Sequence, residues 1–344
     1  MSAQMTPKQR MGAFLAGQPF DRIPCVPLIL NHAARVLGVK VSEYNANPKV
    51  MADAQIAAFR RYRHDMVTVF SDTAIIAEAM GTKLTYPEDR APFVEAPCVR
   101  SPSDADGLRS PDPRRDGRLP VLVEACARIR EAVGDEVFVG CCFSAPFTTA
   151  AALRGTDVFA RDLLRNPALA HRLLKVSLDA ALALTDALSA VGAVPVLVDP
   201  VASGSVLSPK LFREFAAPYI QPLLDRIRSL GWPPILHICG KTHLLLEAMA
   251  DLAPSALSLD RVDLGEAKRR IGARVCLMGN VTPTETLLSG TPEDVDREAQ
   301  HCIAVAGDSP GGFILASGCE VPVDAPPENI LALIRAAEKY GMRS

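Results

Sequence analysis

The sequence predicts an α/β protein folded as one (β/α)8 barrel of the TIM type, and three observations carry that expectation. Eight short apolar or β-branched runs recur along 344 residues. The stretches between most of them carry helix punctuation. Nearly half of the residues, 49%, are hydrophobic and only 22% are charged, which suits one large core and not a disordered chain. Fully buried parallel strands tend to be apolar throughout and not alternating, and these runs are of that kind. A doubly wound open sheet is the architectural alternative.

Taken in order, the strand candidates are "RIPCVPLIL" (22–30), "MVTVFSD" (66–72), "EVFVGCCFS" (136–144) and "VPVLVD" (194–199). The second half of the chain adds "PILHIC" (234–239), "SALSLD" (255–260), "ARVCLMGN" (273–280) and "GGFILASG" (311–318). Helix starts are legible beside them. Thr6 is an N-cap, followed by Pro7 at the first helical position and Gln9 to close a capping box. Ser208 and Pro209 open a helix that should run to Gly231, Thr291 opens another ending near Gly307, and "PPENILALIRAAEKYG" forms the last. The stretch 83–120 breaks the alternation. Rich in Pro, Asp and Arg, it reads as an insertion: a short strand pair and then an irregular loop. With no internal repeat and no long linker, residues 1–344 are expected to form a single domain.

The formal net charge of -2 argues against nucleic acid as a bulk electrostatic partner. The first residues lack the apolar core of a signal peptide, and no stretch reaches the roughly 18 apolar residues of a membrane span. Nine cysteines, an odd number in a chain without an export signal, read as reduced thiols. A cytoplasmic location is the expectation.

In a barrel, functional side chains gather where the strands end. Here those ends supply Asn31 and His32, Asp72, Ser144, Asp199, His237 and Cys239, Asp260, Asn280, and Cys319 just beyond the last strand. His237 and Cys239 are two residues apart, so on a strand both point to one side while Ile238 points to the other. Gly240 then permits a close turn. Cys319, in "ASGCEVP", would enter the same mouth from another direction. Two cysteines and a histidine with one position open are a known catalytic zinc arrangement, and two thiolates favour zinc over magnesium or calcium. Asp260 is placed to take the fourth position and to leave it for a substrate. The plainer reading stays open at this point: buried cysteine is common as a small hydrophobe, and buried histidine usually finds an ordinary hydrogen bond. Cys25, Cys98, Cys126, Cys276 and Cys302 are expected in the core. Cys141 and Cys142 are adjacent and should face opposite ways.

Five segments together resemble a known family. "DTAIIAEAMG" (72–81), "SAPFTTAAALRG" (144–155), "DPVASGSVLSPKLFREF" (199–215), "HICG" (237–240) and "ASGCEVPVDAPPENI" (316–330) are similar, in order, to the uroporphyrinogen decarboxylase superfamily. The His-x-Cys pair and the distant cysteine more closely resemble its corrinoid-dependent branch. Those are zinc methyltransferases that pass a methyl group between methylcobalamin and a thiol such as coenzyme M. The resemblance implies a barrel with zinc at its mouth, held by His237, Cys239 and Cys319 with Asp260 or water fourth. It also implies a corrinoid that arrives as a substrate or on a separate protein. Asp72, Asp199 and Asn280 become candidates for orienting ligands or substrate, although each could equally cap its own strand.

The chain departs from the pattern twice. The decarboxylases carry paired arginines after the first strand to clamp the acidic arms of a porphyrin, whereas "PLILNHAARVLGVK" (27–40) holds only Arg35. Asp260 stands where the methyltransferase branch usually has glutamate, so its shorter arm would reach the metal through water. The alternatives to zinc methyl transfer are tetrapyrrole decarboxylation without a cofactor and a non-catalytic zinc or corrinoid binder.

Overall fold

The structure, a computed structural model, describes residues 5–343. Seven parallel strands form one curled sheet: β1 (Met66–Val69), β4 (Phe138–Ser144), β5 (Val194–Val198), β6 (Ile235–Ile238), β7 (Ala256–Leu259), β8 (Cys276–Val281) and β9 (Phe313–Ser317), neighbours in that order. Each falls within one of the predicted runs except β8, which runs one residue past 273–280 to Val281. The insertion contributes β2 (Lys83–Thr85) and β3 (Phe93–Ala96), an antiparallel pair apart from the main sheet, followed by a 3-10 turn at Pro102–Gly107. Helices separate most of the strands, and the fold is a TIM-type α/β barrel.

The eighth run, 22–30, is corrected in kind. It is not a regular strand, yet it lies between β9 and β1. Val26 N donates to Leu315 O, Leu315 N to Pro24 O, and Asp65 N to Cys25 O. Pro24 and Pro27 remove two of the donors a ladder needs, so the run forms isolated bridges alone, from Cys25 to Leu315 and from Arg22 to Met342. The helix expected over 208–231 is likewise interrupted. A short turn at Pro209–Leu211 passes through a wider π-turn at Phe212–Ala216 before the helix Ala217–Ser229. Pro218 and Pro222 each lack the N–H an uninterrupted α-helix would use.

The strand parity divides two apolar cores. Val194, Val196 and Val198 of β5, with Met278 of β8 and Ile314 of β9, fill the barrel interior, while Leu197, Leu236 and Leu315 meet the surrounding helices. The capping residues act as the sequence implies: Thr6 with Gln9 and Thr291 with Asp294 form capping boxes, and Ser208 Oγ accepts from Leu211 N. Among the described residues, no helix is long and apolar enough to cross a membrane.

A buried ion cluster ties the first helix (Pro7–Leu15), the extended segment and β1 together at one end of the barrel. Arg10 binds Asp65 Oδ1 at 2.6 Å and Asp21 through both Nε and Nη2, while Arg22 binds Asp65 Oδ2 at 2.7 Å. Cys25 N donates to that same Oδ2 at 2.7 Å. Asp65 is fully buried, so its charge is tolerable only because two guanidiniums surround it. Asp65→Asn leaves those arginines undercompensated and is expected to destabilise the fold by about 3–5 kcal/mol, read from the urea unfolding midpoint.

Candidate metal centre

β6 delivers the first two side chains. His237 turns inward, Leu236 and Ile238 turn out to the helices, and Cys239 follows immediately past the strand end. Gly240, at φ +72°, then takes the chain through a left-handed turn that a side chain would resist. β9 delivers the third: Gly318 and Cys319 follow Ser317. Cys239 Sγ lies 2.9 Å from His237 Nε2 and 3.2 Å from Cys319 Sγ, and the three candidate donor atoms all lie within 4.8 Å of one another. Residues 80 positions apart are thus in contact.

Ser258, pointing inward from β7, was not anticipated. Its hydroxyl lies 2.9 Å from His237 Nδ1, which leaves Nε2 facing the sulfurs. When the hydroxyl accepts from Nδ1–H, the Nε2 lone pair is free for a cation. A signal existed in "SALSLD", where Ser258 is the polar residue in register with His237. The two sulfurs lie within hydrogen-bond distance of each other. Cys319 is the more acidic, drawn well below the usual thiol range chiefly by the hydrogen bond from the Cys239 thiol, with burial opposing and His237 assisting. Cys239 is pushed up by that same contact and by burial. Two sulfurs and an imidazole nitrogen suit a soft, tetrahedral cation such as zinc, and the cluster fits that ion.

Asp260 stands beside the cluster and not within it. Its Oδ2 accepts from Gly240 N at 2.8 Å, one residue past Cys239. A Cβ on Gly318, one residue before Cys319, would lie 3.0 Å from its Oδ1. The carboxylate therefore lies against both cysteine loops. Burial raises its pKa, against the Gly240 hydrogen bond and with help from the Cys319 sulfur. Asn280 reaches the centre only through this loop, since its amide donates to Asp260 O at 2.8 Å and Val262 O at 2.7 Å.

Asp72 is spent on protein groups, and so is one oxygen of Asp199, whose Oδ2 is buried without a partner among the described residues. Asp72 Oδ2 accepts from Ser71 Oγ and from Arg118, each at 2.7 Å, and Arg118 also binds Glu78 and Ser71. Arg118 comes from the end of the insertion, which docks it near the barrel mouth. Asp199 follows the outward parity of Leu197 and sits at the start of the helix Pro146–Arg154. There its Oδ1 accepts from Thr148 N at 2.7 Å and Thr148 Oγ1 at 2.6 Å. Burial raises its pKa to about 7 despite those bonds.

The cluster opens into a chamber over the barrel interior, with about 720 Å³ free of protein atoms, open solvent at its mouth included. Val26, Leu28, Leu30, Phe70, Val196 and Met278 supply much of its wall. Sequence reasoning missed Glu320, which also lines it although it follows Cys319 directly. Its Oε1 accepts from Asn31 N and Asn31 Nδ2, at 3.0 and 2.9 Å. Its partial exposure faces the chamber, and enclosure away from bulk water raises its pKa to about 7. No lysine or arginine stands among the described residues of the wall. Arg35 pairs with Asp324 on the exterior. Of the other cysteines, Cys141 packs in the outer core and Cys142 in the inner one, opposite ways as expected.

Residues 6–340 match the family model described as uroporphyrinogen decarboxylase (URO-D). The chain is 32% identical to methylcobamide:CoM methyltransferase MtaA of Methanosarcina barkeri, over 98% of this chain and 99% of that protein. It is 31% identical to a uroporphyrinogen decarboxylase of Anaeromyxobacter dehalogenans, over 95% and 97%. Among solved structures, a methyltransferase from Methanosarcina mazei superposes with a TM-score of 0.89 at 29% identity, covering 98% of this chain and 99% of that one. With barrel and match both spanning nearly the whole chain, the protein belongs to the uroporphyrinogen decarboxylase family.

Proposed function

We propose that the protein is a zinc-dependent methyltransferase that moves a methyl group between methylcobalamin and a thiol or similar acceptor. The corrinoid would come free or on a separate protein. The observation that carries this reading is the convergence of His237, Cys239 and Cys319 beside an apolar chamber. Identity alone does not choose between the family's two chemistries, because relatives named for each stand at 32% and 31%. The composition of the chamber wall supports methyl transfer. Decarboxylation of uroporphyrinogen requires a site for many carboxylates, and a wall with Glu320 and no lysine or arginine would leave them without counter-charge.

In the methyl-transfer reading, His237 contributes Nε2, fixed by Ser258, and the two cysteines contribute their sulfurs. Zinc held there would lower the pKa of an incoming thiol so that it attacks the methyl group carried by the corrinoid. The protein's own part is to orient and to exclude water. The apolar wall keeps bulk solvent away from the reacting sulfur. Asp260, set against both cysteine loops, is suited to the fourth position directly or through a water. Asp72, Asp199 and Asn280 act at one remove: Asp72 anchors the insertion through Arg118, Asp199 caps the helix after β4, and Asn280 braces the Asp260 loop.

Cys239→Ser should lose stoichiometric zinc and, with it, thiol-dependent demethylation of methylcobalamin. Elemental analysis and the loss of the methylcobalamin absorbance read both. Full activity in zinc-free wild-type protein would overturn the proposal. Ser258→Ala keeps every donor atom but frees the imidazole to rotate. Its zinc affinity, measured by chelator competition, should fall about tenfold or more.

A further inference from the structure

The chamber carries information about the tail of the thiol, beyond the sulfur chemistry on which the proposed function rests. Its wall combines apolar side chains such as Val26, Phe70 and Met278 with one acidic residue, Glu320, and no lysine or arginine among the described residues. Glu320 is not neutralised by a cation. Its partners are the amide groups of Asn31, both on Oε1, while Oε2 accepts no hydrogen bond from the described residues. The guanidinium of Arg118, which the insertion brings near the mouth, is occupied by Asp72 and Glu78.

We propose that this chamber selects thiols, or their methylated forms, whose tails carry no negative charge, and that Glu320 is the residue that rejects anionic tails. An anion taken into such a wall loses its hydration and gains neither a fork of donors nor a counter-charge. It also faces a carboxyl group with an open acceptor oxygen. Setting an acceptor oxygen where an anion needs a donor is a common source of specificity, because it penalises the wrong partner more than it helps the right one. An uncharged tail meets no such penalty and gains from apolar contact.

The inference depends on methyl transfer only for the word thiol, and its test separates the two. Mercaptoethanol and coenzyme M share a two-carbon thiol arm and differ in bearing a hydroxyl or a sulfonate. Their dissociation constants with zinc-loaded protein, by calorimetry, should differ by about tenfold or more in favour of mercaptoethanol. In Glu320→Gln, which keeps the Oε1 acceptor for Asn31, that ratio should shrink severalfold through tighter binding of coenzyme M. Equal or tighter binding of coenzyme M by the wild type, no binding of either thiol, or an unchanged ratio in Glu320→Gln would each overturn the inference. If the predicted order of binding holds but neither thiol is methylated, the assignment of methyl transfer fails while the selectivity of the chamber stands.

Discussion

Three donor atoms from two strands that are not neighbours in the sheet meet within 4.8 Å, and much of the structure serves that meeting. β7 and β8 lie between β6 and β9, so the ends that carry Cys239 and Cys319 approach only because the sheet curls. The extended segment 22–30 completes the curl by bonding to β9 on one side and to the residue before β1 on the other. Its anchorage is the buried cluster of Arg10, Arg22, Asp21 and Asp65 at one end of the barrel. Loosening that cluster would act on the mouth through the closure of the sheet, without touching any donor.

The acidic groups around the mouth fall into distinct tasks once their partners are known. Asp199 satisfies the first turn of a helix, Asp72 holds an arginine delivered by the insertion, and Asp260 lies against the loops that follow β6 and β9. Only Glu320 faces the chamber with an oxygen left over. Position at a strand end is shared by several of these residues; what separates them is which way the side chain leaves the strand and what it meets. The same electrostatics bear on the family's divided chemistry. A barrel of one topology can serve a polycarboxylate or an uncharged ligand according to the charge of a few wall positions.

The legible parts of the sequence were those set by local physics. The i, i+2 spacing of His237 and Cys239 put both on one side of β6, and the structure keeps them there with Ile238 outside. Seven apolar runs became strands for the same reason. The eighth had the right hydrophobicity, but Pro24 and Pro27 took away its donors, a cost that apolar patterning does not register. Asp199 could have been read more closely: with Val194, Val196 and Val198 inside, parity turns residue 199 outward. Arg118 could not have been paired with Asp72, because that contact depends on how an irregular insertion of nearly forty residues docks. Glu320 and Ser258 were hidden by their neighbours, since attention to metal donors passes over the side chains that orient them or shape the space in front.

The account stands on the identity of the atoms around the cation. X-ray absorption at the zinc edge of the zinc-loaded protein reads those atoms directly. Two sulfur scatterers at about 2.3 Å, together with nitrogen or oxygen at about 2.0–2.2 Å, are the expected first coordination sphere. A sphere of nitrogen and oxygen alone would contradict it, because zinc would then lie somewhere other than between Cys239 and Cys319.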